Sequence, residues 1–480
     1  MSPESILISF LVYTLLLFIV SWITSRKSTN DTFFIGNRKS PWYVVAYGMI
    51  GASLSGVTYI SIPGDVSNTH FSYMIIVFGY LIGYLVIANV LLPLYYKLKL
   101  TSIYTYLDSR FGPASYKTGA SLFLISRIIG ASFRMYLVVN VLQLFVFDEW
   151  GIPFWFTVLL FISLIMLYTF RGGIKTIVWT DMLQTTFMLL AVVVTLFMMA
   201  DAMDLTLSNL LHNVFESEYS QLTFTNWQHN HFYLKDFLAG AFIAIVMTGL
   251  DQDMMQKNLS CKNLKDAKKN VYWLSFSLVP VNFIFLILGA SLYIFMASAG
   301  LAAPEMTDNL FPTVALNFLK APAGLIFIIG LIAAAYSSAD SALTALTTSF
   351  SIDILNIKKW KMSERKKVRS RYYIHFGIAF VLLMVIILFR SINDQSVISK
   401  LFTIAGYTYG PLLGIYAFGM FTKFNVKDKW VPLIAILSPV ICYITSIYDE
   451  FLFSGYNFGF ELLILNGLIT FIGLLIIRKS

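Results

Sequence analysis

Charge is what this sequence has least of. Only 12% of its 480 residues are Asp, Glu, Lys or Arg, about half the share usual in a soluble domain, which excludes an ordinary water-solvated globule. Cysteine is nearly absent. Cys261 falls in a basic stretch and Cys442 in an apolar one, so no disulfide framework is implied. The five histidines form no Cys/His pattern with zinc spacing. No nucleophile-and-base pair or metal constellation stands out, so an enzyme is not expected. No soluble domain is expected: the longest loop on the outer side, about 201–235, holds the polar aromatic run Phe224 to Tyr233 and is expected to lie on the membrane surface. The +9 balance does not indicate a nucleic-acid partner, because the basic residues sit in short connections between apolar runs.

What is abundant is apolar length. Hydrophobic residues make up 58% of the chain, and runs of about 20 such residues are long enough to cross a bilayer as helix. Thirteen can be placed, at 5–25, 42–67, 71–96, 117–145, 152–170, 175–200, 236–256, 271–298, 321–355, 373–391, 398–422, 430–448 and 458–477. The fold class is therefore an all-α membrane protein, one integral domain over 1–480 whose partner is the lipid bilayer. The first run lacks a small-residue cleavage site and is expected to be a retained helix rather than a signal peptide. Of the 34 Lys and Arg residues, 28 fall on one side of this arrangement, Lys257 among them. Only Lys235, Lys320, Arg390 and Lys400 fall on the other, and Arg127 and Arg134 lie inside a span. Basic loops stay in the cytoplasm. The expected topology is multi-pass in a plasma (inner) membrane, N-terminus outside and C-terminus cytoplasmic.

The chemistry concentrates in Ala333 to Ser349, A-A-A-Y-S-S-A-D-S-A-L-T-A-L-T-T-S. On a helical projection Ala334, Ser337, Ser338, Asp340, Ser341, Thr344, Thr347 and Thr348 share one side, and Ala335, Tyr336, Ala339, Ala342, Leu343, Leu346 and Phe350 the other. A carboxylate at membrane depth must face protein, water or an ion. Hydroxyls beside a carboxylate suit a small hard cation; without Asp340 the same residues would read as a packing helix. The span W-Y-V-V-A-Y-G-M-I-G-A-S-L-S-G-V-T-Y-I-S-I-P-G-D-V is the least regular. Its Gly51, Ser53, Ser55, Gly56, Thr58 and Ser61 predict a mid-membrane break of the kind found at transporter binding sites, with small-residue packing the alternative. A weaker break is expected near Thr248-Gly249. Arg134, with Arg127 two turns earlier, is either a structural ion pair or a ligand for an anion. Asp181, with Gln184 and Thr185 on its face, is an interfacial carboxylate or part of a second cation site.

Five segments together, in order, carry a resemblance: S-I-Y-T-Y-L-D-S-R-F-G (102–112), R-G-G-I-K-T-I-V-W-T-D-M-L-Q (171–184), Q-K-N-L (256–259), A-A-Y-S-S-A-D-S (334–341) and G-Y-T-Y-G-P-L-L-G (406–414). The chain resembles the sodium/solute symporter family, and through L-S-G-V-T-Y-I-S-I-P (54–63) its bacterial sialic-acid transporters. The resemblance implies a LeuT-type core of two inverted five-helix repeats, about 42–200 and 236–422, with peripheral helices at 5–25, 430–448 and 458–477. It implies a sodium site made by the carbonyls of Gly51, Leu54 and Ala334 and the hydroxyls of Ser337 and Ser338. A second sodium site maps to Asp181, Ser337, Asp340 and Ser341, where Asp340 replaces a hydroxyl of the sialic-acid transporters. Ser53, Ser55, Thr58 and Arg134 match substrate positions, Arg134 (or Arg127, with a shifted alignment) as the carboxylate ligand. A glutamine expected on the next span is missing; the chain reads V-F-G-Y-L at 77–81. The expected function is sodium-coupled symport of a small polar, carboxylate-bearing solute by alternating access, sialic acid being one candidate. A neutral sugar or polyol carrier is the alternative, and a non-transporting membrane sensor a remoter one.

Overall fold

In lipid a backbone has no water to bond to, so apolar runs of this length must close their hydrogen bonds internally, as helix. The computed structural model describes residues 2–24, 30–391 and 397–479, and among them it is helical throughout, with isolated bridges but no strand. Each of the thirteen predicted spans falls on a helix. They are α1 Pro3–Thr24, α2 Trp42–Gly64, α3 Val66–Lys97, α4 Pro113–Phe147, α5 Phe154–Gly172 and α6 Ile174–Ala202. The bent pair Tyr233–Gly249 and Gln252–Leu259 forms α7a and α7b. Then come α8 Leu264–Ser298, α9 Ala321–Ile354, α10 Glu364–Arg390, α11 Val397–Phe421, α12 Asp428–Ile447 and α13 Leu462–Ile476. Among the described residues nine of these are long and apolar enough to cross a membrane alone, and ten if the bent pair counts as one; a shorter apolar helix covers most of α5, and α13 is another. Arg26 and Lys27, counted on the cytoplasmic side, lie outside the described residues.

Two helices are broken where glycine, serine and threonine cluster. In α2, Ser55 has φ +59° and ψ 179°, a left-handed backbone that costs a non-glycine residue about 1–3 kcal/mol and persists only where its surroundings enforce it. In α7 a π-helical turn at Ile245–Gly249 precedes a 64° bend at Leu250-Asp251, next to the predicted Thr248-Gly249 position.

The centre of the molecule is α9. Every residue from Gly330 to Ser349 is buried, so neither of its two predicted sides meets lipid. The aromatic side packs on α1 and α5: Tyr336 stacks on Phe161 with ring centroids 5.3 Å apart, and its hydroxyl lies 2.9 Å from Thr14 Oγ1. The hydroxyl side meets α2 and α6. Helices approach here through small residues. A Cβ on Gly51 would stand 2.3 Å from Thr185 Oγ1, and one on Gly240 would stand 2.1 Å from the carbonyl oxygen of Ile76, so α2 meets α6, and α7a meets α3, nearly backbone to backbone.

Helix α7b, Q-D-M-M-Q-K-N-L, looks like a polar loop, yet all eight residues are buried. Its polar groups find partners on every side. Asp251 Oδ1 caps the helix, accepting from the N–H groups of Asp253 (2.8 Å) and Met254 (3.3 Å). Gln252 donates to the Thr101 carbonyl (2.9 Å) and accepts from the Ile103 N–H (3.0 Å). Gln256 donates to Thr348 Oγ1 on α9 (3.1 Å), and Asn258 accepts from Asn270 (2.6 Å). Helix α7b is thus a polar plug enclosed by the bundle.

Candidate functional site

An unbroken α2 would pair the carbonyls of Gly51, Ala52, Ser53 and Leu54 with the N–H groups of Ser55 to Thr58. The kink at Ser55 interrupts that ladder. Two of the three carbonyls that the resemblance implies for a sodium site, those of Gly51 and Leu54, belong to this turn. Gly51 is bound to α6: its N–H donates to Thr185 Oγ1 (3.1 Å), and that hydroxyl lies 2.8 Å from the Asp181 carbonyl. Opposite, on α9, Ser338 donates to the Ala334 carbonyl at 3.3 Å, and Ser337 donates to Asp181 Oδ1 at 2.9 Å. Helices α2, α6 and α9 thus bring Gly51, Asp181 and Ser337 into one buried cluster of hard oxygens.

The residues of the second predicted cation set meet different neighbours. Asp181 Oδ2 lies 2.7 Å from Lys257 Nζ, both side chains 1% exposed. Lys257 is therefore not a loop cation, as its place in the sequence suggested, but a fully buried member of α7b. Asp340 Oδ2 accepts from Tyr168 on α5 at 3.0 Å. Asp340 Oδ1, Ser341 Oγ and Thr344 Oγ1 are buried with no hydrogen-bond partner. The hydroxyl row of α9 serves several neighbours rather than one site, since Thr347 lies 2.8 Å from His375 of α10.

On the other side of the broken turn is a cavity. Ser53, Ser55 and Thr58 line it, with Tyr73, Tyr80 and Tyr84 of α3, Thr248 of α7a, Asn282 of α8 and both arginines of α4. Where the resemblance implied a glutamine on α3, tyrosine hydroxyls stand instead; those of Tyr73 and Tyr80 are 3.2 Å apart. The two arginines differ. Arg127 is ion-paired to Asp253, and its other terminal nitrogen is 3.8 Å from Asp251 Oδ2. Tyr409 also bonds Asp251. Among the described residues no ion pair involves Arg134, whose Nε is buried without a hydrogen-bond partner. A smaller cavity shares Tyr73, Ile398 and Phe402 with the first and continues toward Asp65 and His231.

Long apolar helices, a broken helix lined with hydroxyls, and a cavity holding an arginine that has no ion pair among the described residues are the features expected of a membrane carrier. The comparisons with known proteins name the class more closely. The chain belongs to the sodium:solute symporter family, whose profile matches residues 33–427. It is similar to the human sodium-coupled monocarboxylate transporter 1, at 26% identity over 83% of this chain and 65% of that protein's length. It is also similar to the sodium/sialic acid symporter SiaT of Proteus mirabilis, at 23% identity over 84% of this chain and 81% of that one. The fold matches the solved substrate-bound, outward-open state of a sodium-coupled sialic acid symporter, with a TM-score of 0.83, 21% identity and 99% of both chains covered. The architecture is accordingly LeuT-type.

The break in α2 falls where the sequence placed it, Asp340 lies buried against Tyr168, and Arg134 lines the cavity. Tyr168, Asn282, the three tyrosines of α3 and the buried Lys257 were not singled out by the sequence. One signal was available for Lys257: it follows Asp251 and Asp253 in a run with no other basic residue, directly after an apolar span, where a buried polar plug is one outcome.

Proposed function

We propose that this chain moves a small carboxylate-bearing solute across the membrane together with sodium, by alternating access. The observation that carries the reading is Arg134, a buried guanidinium that lines the cavity with Ser53, Ser55 and Thr58 and has no ion pair among the described residues, while Arg127 is already paired. A guanidinium fork matches a carboxylate through two parallel charge-assisted bonds, which a neutral sugar does not require. The monocarboxylate and sialic acid carriers among the relatives support an acid of this kind.

Sodium would bind the carbonyls of Gly51, Leu54 and Ala334 with the hydroxyls of Ser337 and Ser338. It would join the broken helix to α9 and hold Ser53 and Ser55 in the shape the solute needs. The solute then binds the sodium-loaded form better, and by linkage sodium binds the solute-loaded form better. The basic loops support an N-terminus outside and a C-terminus in the cytoplasm. In that orientation the α7b plug seals the cytoplasmic end and the cavity continues outward past Tyr73 and Phe402. The two repeats we assign, 42–200 and 236–422, each begin with a broken helix.

Thermal-shift measurements on the purified chain test the solute class, using sialic acid, lactate and other monocarboxylates, amino acids and neutral sugars with sodium or with choline. An acid that stabilises only in sodium supports the reading. Stabilisation by a neutral sugar alone would keep the symporter and remove the carboxylate assignment.

A further inference from the structure

Lys257 is spent on something other than anchoring a loop. Its ammonium is buried against Asp181, whose other oxygen takes the hydroxyl of Ser337, a residue shared by both predicted sodium sets. Asp340, about one turn along α9 from Ser337, keeps one buried oxygen unpartnered, as does Ser341. Counted as ionised, two carboxylates against one ammonium leave a single negative charge, in a place where an uncompensated ion is expensive. One monovalent cation neutralises it. A second would have to share Asp181 with an ammonium already at contact distance, and like charges at that separation repel strongly in a low-dielectric interior.

We propose that Lys257 is a tethered cation standing in for the second sodium, so that this transporter binds one sodium ion, at the Gly51/Ser338 end of the cluster. The ammonium also ties the α7b plug to α6, so the same pair links the cytoplasmic seal to the cation cluster. This rests on the sodium-symport reading above.

The test is equilibrium binding of radioactive sodium to the full chain in nanodiscs. The wild type is expected to saturate at one ion per transporter. Lys257→Gln should saturate at two, and Lys257→Gln/Asp181→Asn at one again, while Lys257→Arg stays at one. Two ions in the wild type, or one in a folded Lys257→Gln protein, would overturn the proposal while leaving sodium symport intact. No bound sodium in the wild type would overturn both. Should Lys257→Gln fail to fold, the wild-type count decides.

Discussion

Replacing Arg134 with lysine keeps the charge and removes the fork. Arg134 has no ion-pair partner among the described residues and lines the cavity, so little in the folded protein depends on its geometry. With an acid bound, it would make two parallel N–H···O bonds, and lysine would keep one. A hydrogen bond to a charged group is worth about 1.5–3 kcal/mol, and about 1.4 kcal/mol is tenfold in affinity. Arg134→Lys should therefore raise the dissociation constant for the acid about ten- to a hundredfold, with little change in melting temperature. Arg127 provides the contrast. It holds Asp253 and approaches Asp251, all three side chains being buried. Breaking such a pair from one side costs about 3–5 kcal/mol, so Arg127→Met should destabilise the fold. The assay is titration of the purified variants with the acid in saturating sodium, beside thermal melts. Unchanged affinity in Arg134→Lys, with the loss falling on a stably folded Arg127→Lys, would refute the assignment and move the solute two turns along α4.

Two other outcomes follow from particular contacts. Ser338→Ala removes one neutral oxygen from the sodium set and a weak 3.3 Å bond to Ala334. It should raise the sodium concentration for half-maximal binding by about tenfold or less, in line with about 0.5–1.5 kcal/mol for such a contact; an unchanged sodium titration would remove Ser338 from the site. Asp308 lies in the connection between α8 and α9 and accepts the Val397 N–H at 3.0 Å, while burial pushes its carboxyl up from 3.8 to about 6. The folded state thus holds this proton more tightly than the unfolded chain. The resulting stability is complete below pH about 3.8 and is lost as the pH rises through about 6, a contribution on the order of 3 kcal/mol. Melting temperatures of the wild type should fall relative to Asp308→Asn as pH rises from 4 to 7; parallel curves would contradict it.

The helices were legible because lipid demands long apolar runs, and the break in α2 because Gly51, Ser53, Ser55 and Gly56 crowd one turn in mid-span. Asp340 and Arg134 were legible because charge at membrane depth needs a reason. The pairings were not. Whether Arg127 or Arg134 is free depends on Asp253, 126 residues from Arg127 in sequence, and nothing local to α4 shows it. Lys257 was hidden for a related reason. Counting basic residues treats every cation near a span end as solvated, and Q-D-M-M-Q-K-N-L has the polarity of a loop. Its burial rests on partners drawn from α2's neighbours, α4, α6 and α9, which come together only in the folded bundle. Tyr168 and Asn282 lie in apolar stretches of their helices, where single polar residues are ordinary.

Sodium-driven uptake of an acid tests the central claim most directly. Proteoliposomes carrying the full chain would be given radiolabelled sialic acid or lactate under an inward sodium gradient, with equal sodium on both sides as the control. The acid should accumulate above its outside concentration only under the gradient, and uptake should be lost in Arg134→Lys at low solute concentration. Accumulation driven equally well by an inward proton gradient without sodium, or equal uptake with and without the sodium gradient, would contradict sodium coupling.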